Sequence, residues 1–369
     1  MSTNTKVTSK KSSGFLGGFI LVIAGIMLLW FNEGRTVKTQ SAINEALKSY
    51  KDVTSKKIDE SNEGKLIATT GKIDLGDSSV LTDSKFKISI NAAKLQRVVE
   101  IYEWEESCET DEDDNKTCTY EKVWSDKIID SSEFTKTGYD NPSIIKLDSE
   151  VVEGTNIKVG VFSLNERLLD NLSYNKDITN QKLSEQYKEE IDGYKIDGNY
   201  LVNSEKIDDP QIGDIRVSFK YASDGEVSLL GVQSEGTLKA FTGKKGKSIL
   251  ILKRGSFTGR ELLEDMTSSN KTIKWFLRIL GTVIIISGIG SLFSPLQLLT
   301  NKVPVLSSIV NMSSNLVSFI IGLSISLIVV AIAWFRYRPV LSIILLALVV
   351  ALLVFLKYKK NNTETKSKK

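Results

Sequence analysis

Four apolar stretches, at residues 15–31, 276–293, 316–335 and 340–356, bracket one long polar segment, and that plan constrains everything else. Each stretch approaches the roughly 20 residues that let a helix cross about 30 Å of hydrocarbon. Whole-chain averages of 41% hydrophobic residues and a mean hydropathy of −0.07 blend these unlike parts. Trp30-Phe31-Asn32-Glu33-Gly34-Arg35 follows the first stretch with no small-x-small cleavage pattern, so that stretch reads as an uncleaved signal anchor. The expected architecture is a multi-pass α-helical membrane protein of four transmembrane helices, with a large β-rich α+β extracytoplasmic or lumenal domain between the first two. The expected divisions are a 1–14 cytoplasmic tail, a 15–31 anchor helix, a 32–274 external domain, and a 275–335 helix pair with a short cytoplasmic loop. A 336–339 external link, a 340–356 helix and a basic 357–369 cytoplasmic tail complete them.

Four crossings put both ends on one side, and the ends carry Lys6, Lys10, Lys11, Lys357, Lys359, Lys360, Lys366, Lys368 and Lys369. The excess of cations on cytoplasmic flanks therefore makes both termini cytoplasmic, with Lys302 on the same side. Arg336 and Arg338 before Pro339 then face outward and count against the assignment. Within the stretches almost nothing ionises; Arg278 is expected near the outer end of the second helix, reaching the interface. Small residues recur at helical spacing at Gly14 and Gly18, Ser287 and Ser291, Ser318, Gly322 and Ser326, and Ala347 and Ala351. Such stripes allow close helix approach, either within one bundle or, along Ser318, Gly322 and Ser326, as a seam between copies.

In the polar segment, Ala42, Ile43, Ala46, Leu47 and Tyr50 share one face and predict a short amphipathic helix over 39–50. Val217, Phe219 and Tyr221 alternate with Arg216, Ser218 and Lys220, and 248–252 is an apolar run; both predict strands. Asp-Gly turns at 192–193, 197–198 and 224–225 punctuate the segment, and helical pieces are expected at 164–172 and, after Thr258 as a cap, at 261–266. Cys108 and Cys118 enclose an acidic loop between strand-like runs at 97–106 and 119–130. On an oxidising side they predict a disulfide-stapled hairpin, the alternative being two unpaired thiols. Direct pairing of the cysteines sets Tyr102 opposite Trp124 and Trp104 opposite Lys122.

Several chemistries are excluded or weakened. The chain contains no histidine, which removes His-based zinc sites, Ser-His and Cys-His nucleophile pairs and histidine pH switches. A formal charge of +3 is too small for a nucleic-acid binder. Asp111, Asp113 and Asn115 begin like a calcium loop, but Lys116 and Lys122 occupy its glycine and glutamate positions. Gly-Lys-Lys-Gly-Lys-Ser at 243–248 is a truncated phosphate-loop pattern followed by a strand-like run rather than a helix, so it reads as a basic turn. Asn115-Lys116-Thr117 and Asn270-Lys271-Thr272 fit the glycosylation pattern on the outer side. No catalytic, cofactor-binding or metal-ligating set emerges.

The chain resembles the LUMA family of membrane proteins. The resemblance begins at Phe31-Asn32-Glu33-Gly34-Arg35 with Lys38-Thr39, continues at Asn62-Glu63-Gly64-Lys65-Leu66, and runs through Arg97-Val98-Val99-Glu100-Ile101-Tyr102-Glu103-Trp104 and Asn141-Pro142-Ser143. It includes Gly213-Asp214-Ile215-Arg216-Val217-Ser218-Phe219-Lys220-Tyr221 and ends at Tyr337-Arg338-Pro339. What it implies is a four-span protein of the endoplasmic reticulum and nuclear inner membrane that organises membrane protein complexes, with emerin and lamins as partners in animals. In a bacterium it implies the plasma membrane and no such partners. It implies no cofactor and no catalytic residue, and the cysteine pair is an addition to the family pattern. The functions in view are a non-enzymatic, self-associating scaffold in the lipid bilayer; a channel or transport subunit lined by Ser287, Ser291, Ser294, Ser324 and Ser326; and a membrane-bound hydrolase using carboxylates.

Overall fold

The computed structural model describes residues 11–76, 80–110, 116–293, 314–340 and 342–344. Its helices are α1 (Lys11–Ser49), α2 (Glu166–Asp170), α3 (Asn180–Gln186), α4 (Gly259–Phe293) and α5 (Ser314–Tyr337). The chain forms two compact units, one helical (Met1–Lys48, Thr242–Ser248, Leu263–Lys369) and one β-rich (Ser49–Phe241, Ile249–Leu262).

Among the described residues three helices, over Leu16–Ser49, Gly259–Leu292 and Leu316–Tyr337, are long and apolar enough to cross a membrane. The fourth expected crossing lies, apart from residues 340 and 342–344, outside the described residues. The expected break between the anchor and the 39–50 helix is absent: α1 runs unbroken for 39 residues. No proline interrupts it, and the polar turn at Asn32–Arg35 finds side-chain partners inside the bundle. The 261–266 piece and the second apolar stretch are likewise one helix. Its start is a reciprocal cap in which Thr258 N and Oγ1 donate to Glu261 and Glu261 N donates to Thr258 Oγ1.

Helices α1 and α4 run antiparallel and touch backbone to backbone. A Cβ on Gly18 would lie 2.8 Å from Gly288 O, and one on Gly25 would lie 2.9 Å from Gly281 O. These glycines stand seven residues apart on both helices, the spacing of a left-handed helix pair, and the same register continues to Asn32 opposite Lys274. Leu29, Ile285, Ile289 and Val329 fill the space between α1, α4 and α5. Ser318, Gly322 and Ser326 turn onto α4 of the same chain, where a Cβ on Gly322 would come within 2.9 Å of the Ile286 backbone. That is the within-bundle alternative for this stripe. The basic 243–248 turn packs against α1, with Lys244 N donating to Glu45 Oε2 at 2.9 Å.

In the β-rich unit, Leu66–Asp74 pairs with both Lys158–Val159 and Glu226–Ser234, and Phe162–Ser163 and Thr237–Lys239 complete a closed ring of five strands. All five contribute to one core containing Ile67, Val159, Phe162, Leu229 and Leu238, and Leu168, Leu169 and Leu172 from the α2 segment join it. The second sheet is built on the hairpin of Lys94–Thr110 with Lys116–Ser125, joined through its first strand to Ile215–Ala222. Its core gathers Phe86, Val99, Leu201, Val217 and Phe219. The predicted alternation at 216–221 holds, with Val217, Phe219 and Tyr221 buried. The 248–252 run is interrupted, forming Ser248–Ile249 and Ile251–Arg254.

Candidate functional site

The turn Asn32-Glu33-Gly34-Arg35 immediately follows the apolar part of α1, and continuing the helix carries it into the bundle instead of out to water. Asn32, Glu33 and Gly34 are buried. A carboxylate there is destabilising unless it is paired and hydrogen-bonded. Glu33, at 0% exposure, receives Arg278 Nε on Oε1 at 2.6 Å and the Trp334 indole N–H on Oε2 at 3.1 Å. One side chain thereby ties α1 to α4 and to α5. Arg278, 14% exposed, lies over Trp275 at 4.9 Å and Trp334 at 5.8 Å.

Neighbouring residues extend the clamp. Asn32 Nδ2 donates to Lys274 O at 3.0 Å and its Oδ1 accepts from Arg35. Arg35 also donates to Asn270 Oδ1 at 3.1 Å, and Asn270 Nδ2 donates to Thr36 O at 3.2 Å. Gly34 leaves room for Tyr337, whose ring a Cβ would meet at 2.8 Å. Tyr337 also packs on Trp30 at 5.7 Å, and Arg338 lies over Trp334 at 5.9 Å. Pro339 follows at the end of α5.

Two sequence expectations change here. Arg278, expected to reach outward from its helix, is instead turned onto Glu33, which lies across the bundle as its counterion. Asn270 is no glycosylation acceptor, because both ends of its amide are bonded inside the bundle and it is 3% exposed. Asn115, and with it the calcium-like acidic loop at 111–115, falls outside the described residues. Sequence reading paired Gly18 with Gly14 and missed its partners in the seam, Gly25, Gly281 and Gly288, although their seven-residue spacing was visible.

The motif residues at 97–104, 141–143 and 213–221 belong to the second sheet and its connections, while residues 62–66 lead into the first strand of the five-strand ring. Gly213, at φ 97°, donates to Tyr102 O at 2.8 Å, and Tyr102 N donates back to Asp214 O at 2.8 Å. Asp214 Oδ2 accepts from Gln211 N at 2.7 Å. Asn141 imitates a strand by accepting from Trp104 N and donating to Trp104 O. Arg216 binds Glu100 through two hydrogen bonds at 2.8 and 2.9 Å, and its guanidinium lies over Trp124 at 4.8 Å and Tyr200 at 4.5 Å. This group borders a cleft of about 640 Å³ whose lining includes Glu105, Asp126, Asp177 and Lys220. The hairpin adopts the expected register, Cys108 opposite Cys118, Tyr102 opposite Trp124 and Trp104 opposite Lys122, and the cysteines are joined. Glu106 stands beside them, but sulfurs joined to each other offer no thiolate to a metal.

Two buried acids in this unit serve other ends. Asp83 accepts from Arg97 and from Phe86 N, and Arg97 also pairs with Glu150; burial nonetheless holds the Asp83 carboxyl above the usual range. Glu103 is buried, accepts from Ile129 N and is also pushed up by burial. Of the serines proposed to line a channel, Ser287 and Ser324 are exposed and Ser326 is buried. Ser291, Ser324 and Ser326 hydroxyls donate to carbonyls one turn back in their own helices. Ser294 is outside the described residues.

A family model described as Transmembrane protein 43 matches residues 101–339. Transmembrane protein 43 of Homo sapiens is 29% identical over 359 residues, covering 92% of this chain and 88% of that protein. The Mus musculus protein of the same name is 29% identical over 350 residues, covering 90% and 86%. The Transmembrane protein 43 homolog of Drosophila melanogaster is 29% identical over 353 residues, covering 90% of each chain. No solved structure matches the chain.

Proposed function

The chain belongs to the transmembrane protein 43 family, also called the LUMA family, and on that premise we propose that this integral membrane protein is a non-enzymatic scaffold. The observation that carries this reading is the use of Glu33: the buried acid of the helical unit holds Arg278 and Trp334, binding three helices together rather than facing a solvent path or a substrate. Membrane-embedded charges that pair with one another and with a neighbouring indole favour a fixed arrangement of helices. In the scaffold reading, the rigid bundle anchors the chain and the β-rich unit presents a docking surface. The Arg216 stack and its acidic-rimmed cleft are the strongest candidate for that surface.

The β-rich unit is assigned to the external or lumenal side and both termini to the cytoplasm. The Cys108–Cys118 disulfide supports an oxidising surrounding for it, and the terminal lysines support the orientation. The compartment is the endoplasmic reticulum and nuclear inner membrane in a eukaryote, with emerin- or lamin-type partners, and the plasma membrane in a bacterium. Self-association uses surfaces other than the Ser318 stripe, which α4 already covers. The test is mild extraction into nanodiscs, particle mass determination and cross-linking mass spectrometry. A defined oligomer with reproducible proteins cross-linked to the β-rich unit is the expected result; a lone, partner-free monomer contradicts the scaffold.

A further inference from the structure

The helical unit carries more positive charge around its clamp than the clamp uses. Among the described residues Glu33 is the acid facing this group, and Arg278 and the Trp334 indole occupy both of its oxygens. Lys274 lies over Trp275 at 5.4 Å, Arg338 lies over Trp334 at 5.9 Å, and Lys271 and Arg338 are near enough for their charges to act on Lys274. Among the described residues Lys271, Lys274 and Arg338 have no carboxylate partner. Like charges gathered with Glu33 as their one nearby acid among the described residues repel one another, and an anion placed among them relieves that repulsion.

The surroundings identify the anion. Beside these cations in their own helices, Trp275, Phe276 and Phe335 are exposed. Tryptophan and tyrosine concentrate where helices pass from hydrocarbon to headgroups, and lysine and arginine beside them meet lipid phosphates. A soluble anion would match the charge and leave the exposed rings uncovered, whereas a phospholipid satisfies both. The surplus of cations selects a headgroup with net negative charge, since a choline amine would add another cation.

We propose that Lys271, Lys274 and Arg338 form a binding site for the headgroup phosphate of an anionic phospholipid, its acyl chains lying along the Trp275–Phe276 and Phe335 surface. This site is independent of the scaffold reading.

The experiment is native mass spectrometry of the full chain released from nanodiscs of mixed phosphatidylcholine and phosphatidylglycerol. Wild type is expected to retain phosphatidylglycerol in preference to phosphatidylcholine. Lys274→Gln with Arg338→Gln should lower that retention by roughly tenfold or more, since each cation near an anionic surface contributes about a factor of five. Lys271→Gln, a change at an exposed position, should lower it by about fivefold with an unchanged thermal midpoint. The same charge change in the β-rich unit, Lys57→Gln with Lys65→Gln, should leave retention unaltered. Equal retention of both lipids, an equal fall in the Lys57/Lys65 variant, or no fall in the Lys271 variant would overturn the proposal. Displacement of the lipid by inorganic phosphate alone would overturn it too, by assigning the site to a soluble anion.

Discussion

Each unit of this chain contains an arginine held by a glutamate and flanked by two aromatic rings, and the two arrangements differ mainly in surroundings. Arg278 meets Glu33 at 2.6 Å between Trp275 and Trp334; Arg216 meets Glu100 at 2.8 Å between Trp124 and Tyr200. Glu33 is wholly buried among apolar helices, whereas Arg216 and Glu100 keep 23% and 19% of their side-chain exposure on a sheet face. Water can replace part of the second pair and almost none of the first. The same chemistry should therefore be obligatory in the helical unit and moderate in the β-rich one, where it shapes a surface more than it secures a fold.

The largest expected effect breaks the buried member. Glu33→Ala strands Arg278 without a counterion and removes the acceptor of the Trp334 indole, so helical-unit stability should fall by about 3–5 kcal/mol in detergent unfolding. A fall no larger than that of Arg216→Ala would erase the distinction between the units. Next, Cys108→Ser with Cys118→Ser should destabilise the β-rich unit by about 2–3 kcal/mol and leave the helical unit's transition in place. Thiol labelling before and after reduction checks the bond itself; equal labelling of Cys108 and Cys118 in both samples would contradict it. Gly281→Leu sharpens the comparison from the packing side, because its Cβ would lie 2.8 Å from Leu29 in a backbone-close seam. The expected loss is about 1–3 kcal/mol in the helical unit alone.

Arg216→Ala removes two charge-assisted hydrogen bonds and two ring contacts from a partly wet site, and about 1–2 kcal/mol should be lost in chemical denaturation of the β-rich unit. The smallest effect concerns Glu103, a buried carboxylate with no cation beside it among the described residues. Burial raises its folded-state pKa above the ordinary 4.5, so the folded state holds the proton more tightly than the unfolded state. Its contribution to stability is fully present below 4.5 and is lost as pH rises through the folded value. Glu103→Gln should therefore flatten the stability profile above that pH and raise the neutral-pH midpoint by about 1–3 °C. A steeper profile in the variant would show that the charged form is the one favoured.

What the sequence revealed follows the range of the interactions. The apolar stretches, the strand at 216–221 and the hairpin register at Cys108 and Cys118 all depend on residues close in the chain, and pattern alone locates them. The unbroken α1 was not legible, because Asn32-Glu33-Gly34-Arg35 looks like an exit to water until Arg278 and Trp334, more than two hundred residues away, supply its partners. The five-strand ring escaped for the same reason: Leu66–Asp74 closes on Glu226–Ser234, and neither strand names its distant neighbour. The motif residues were visible as a set, but their division between a helix clamp and a sheet platform was not.

The central claim is that Glu33 and Arg278 lock the helices through each other. A double-mutant cycle of Glu33→Gln, Arg278→Gln and the pair, read by unfolding of the full chain in nanodiscs, tests it most directly. The account predicts a coupling of about 2 kcal/mol or more, with the double variant more stable than the sum of the single losses implies. Additive losses, with coupling near zero, would mean that the two residues act separately and that the motif does not clamp the bundle.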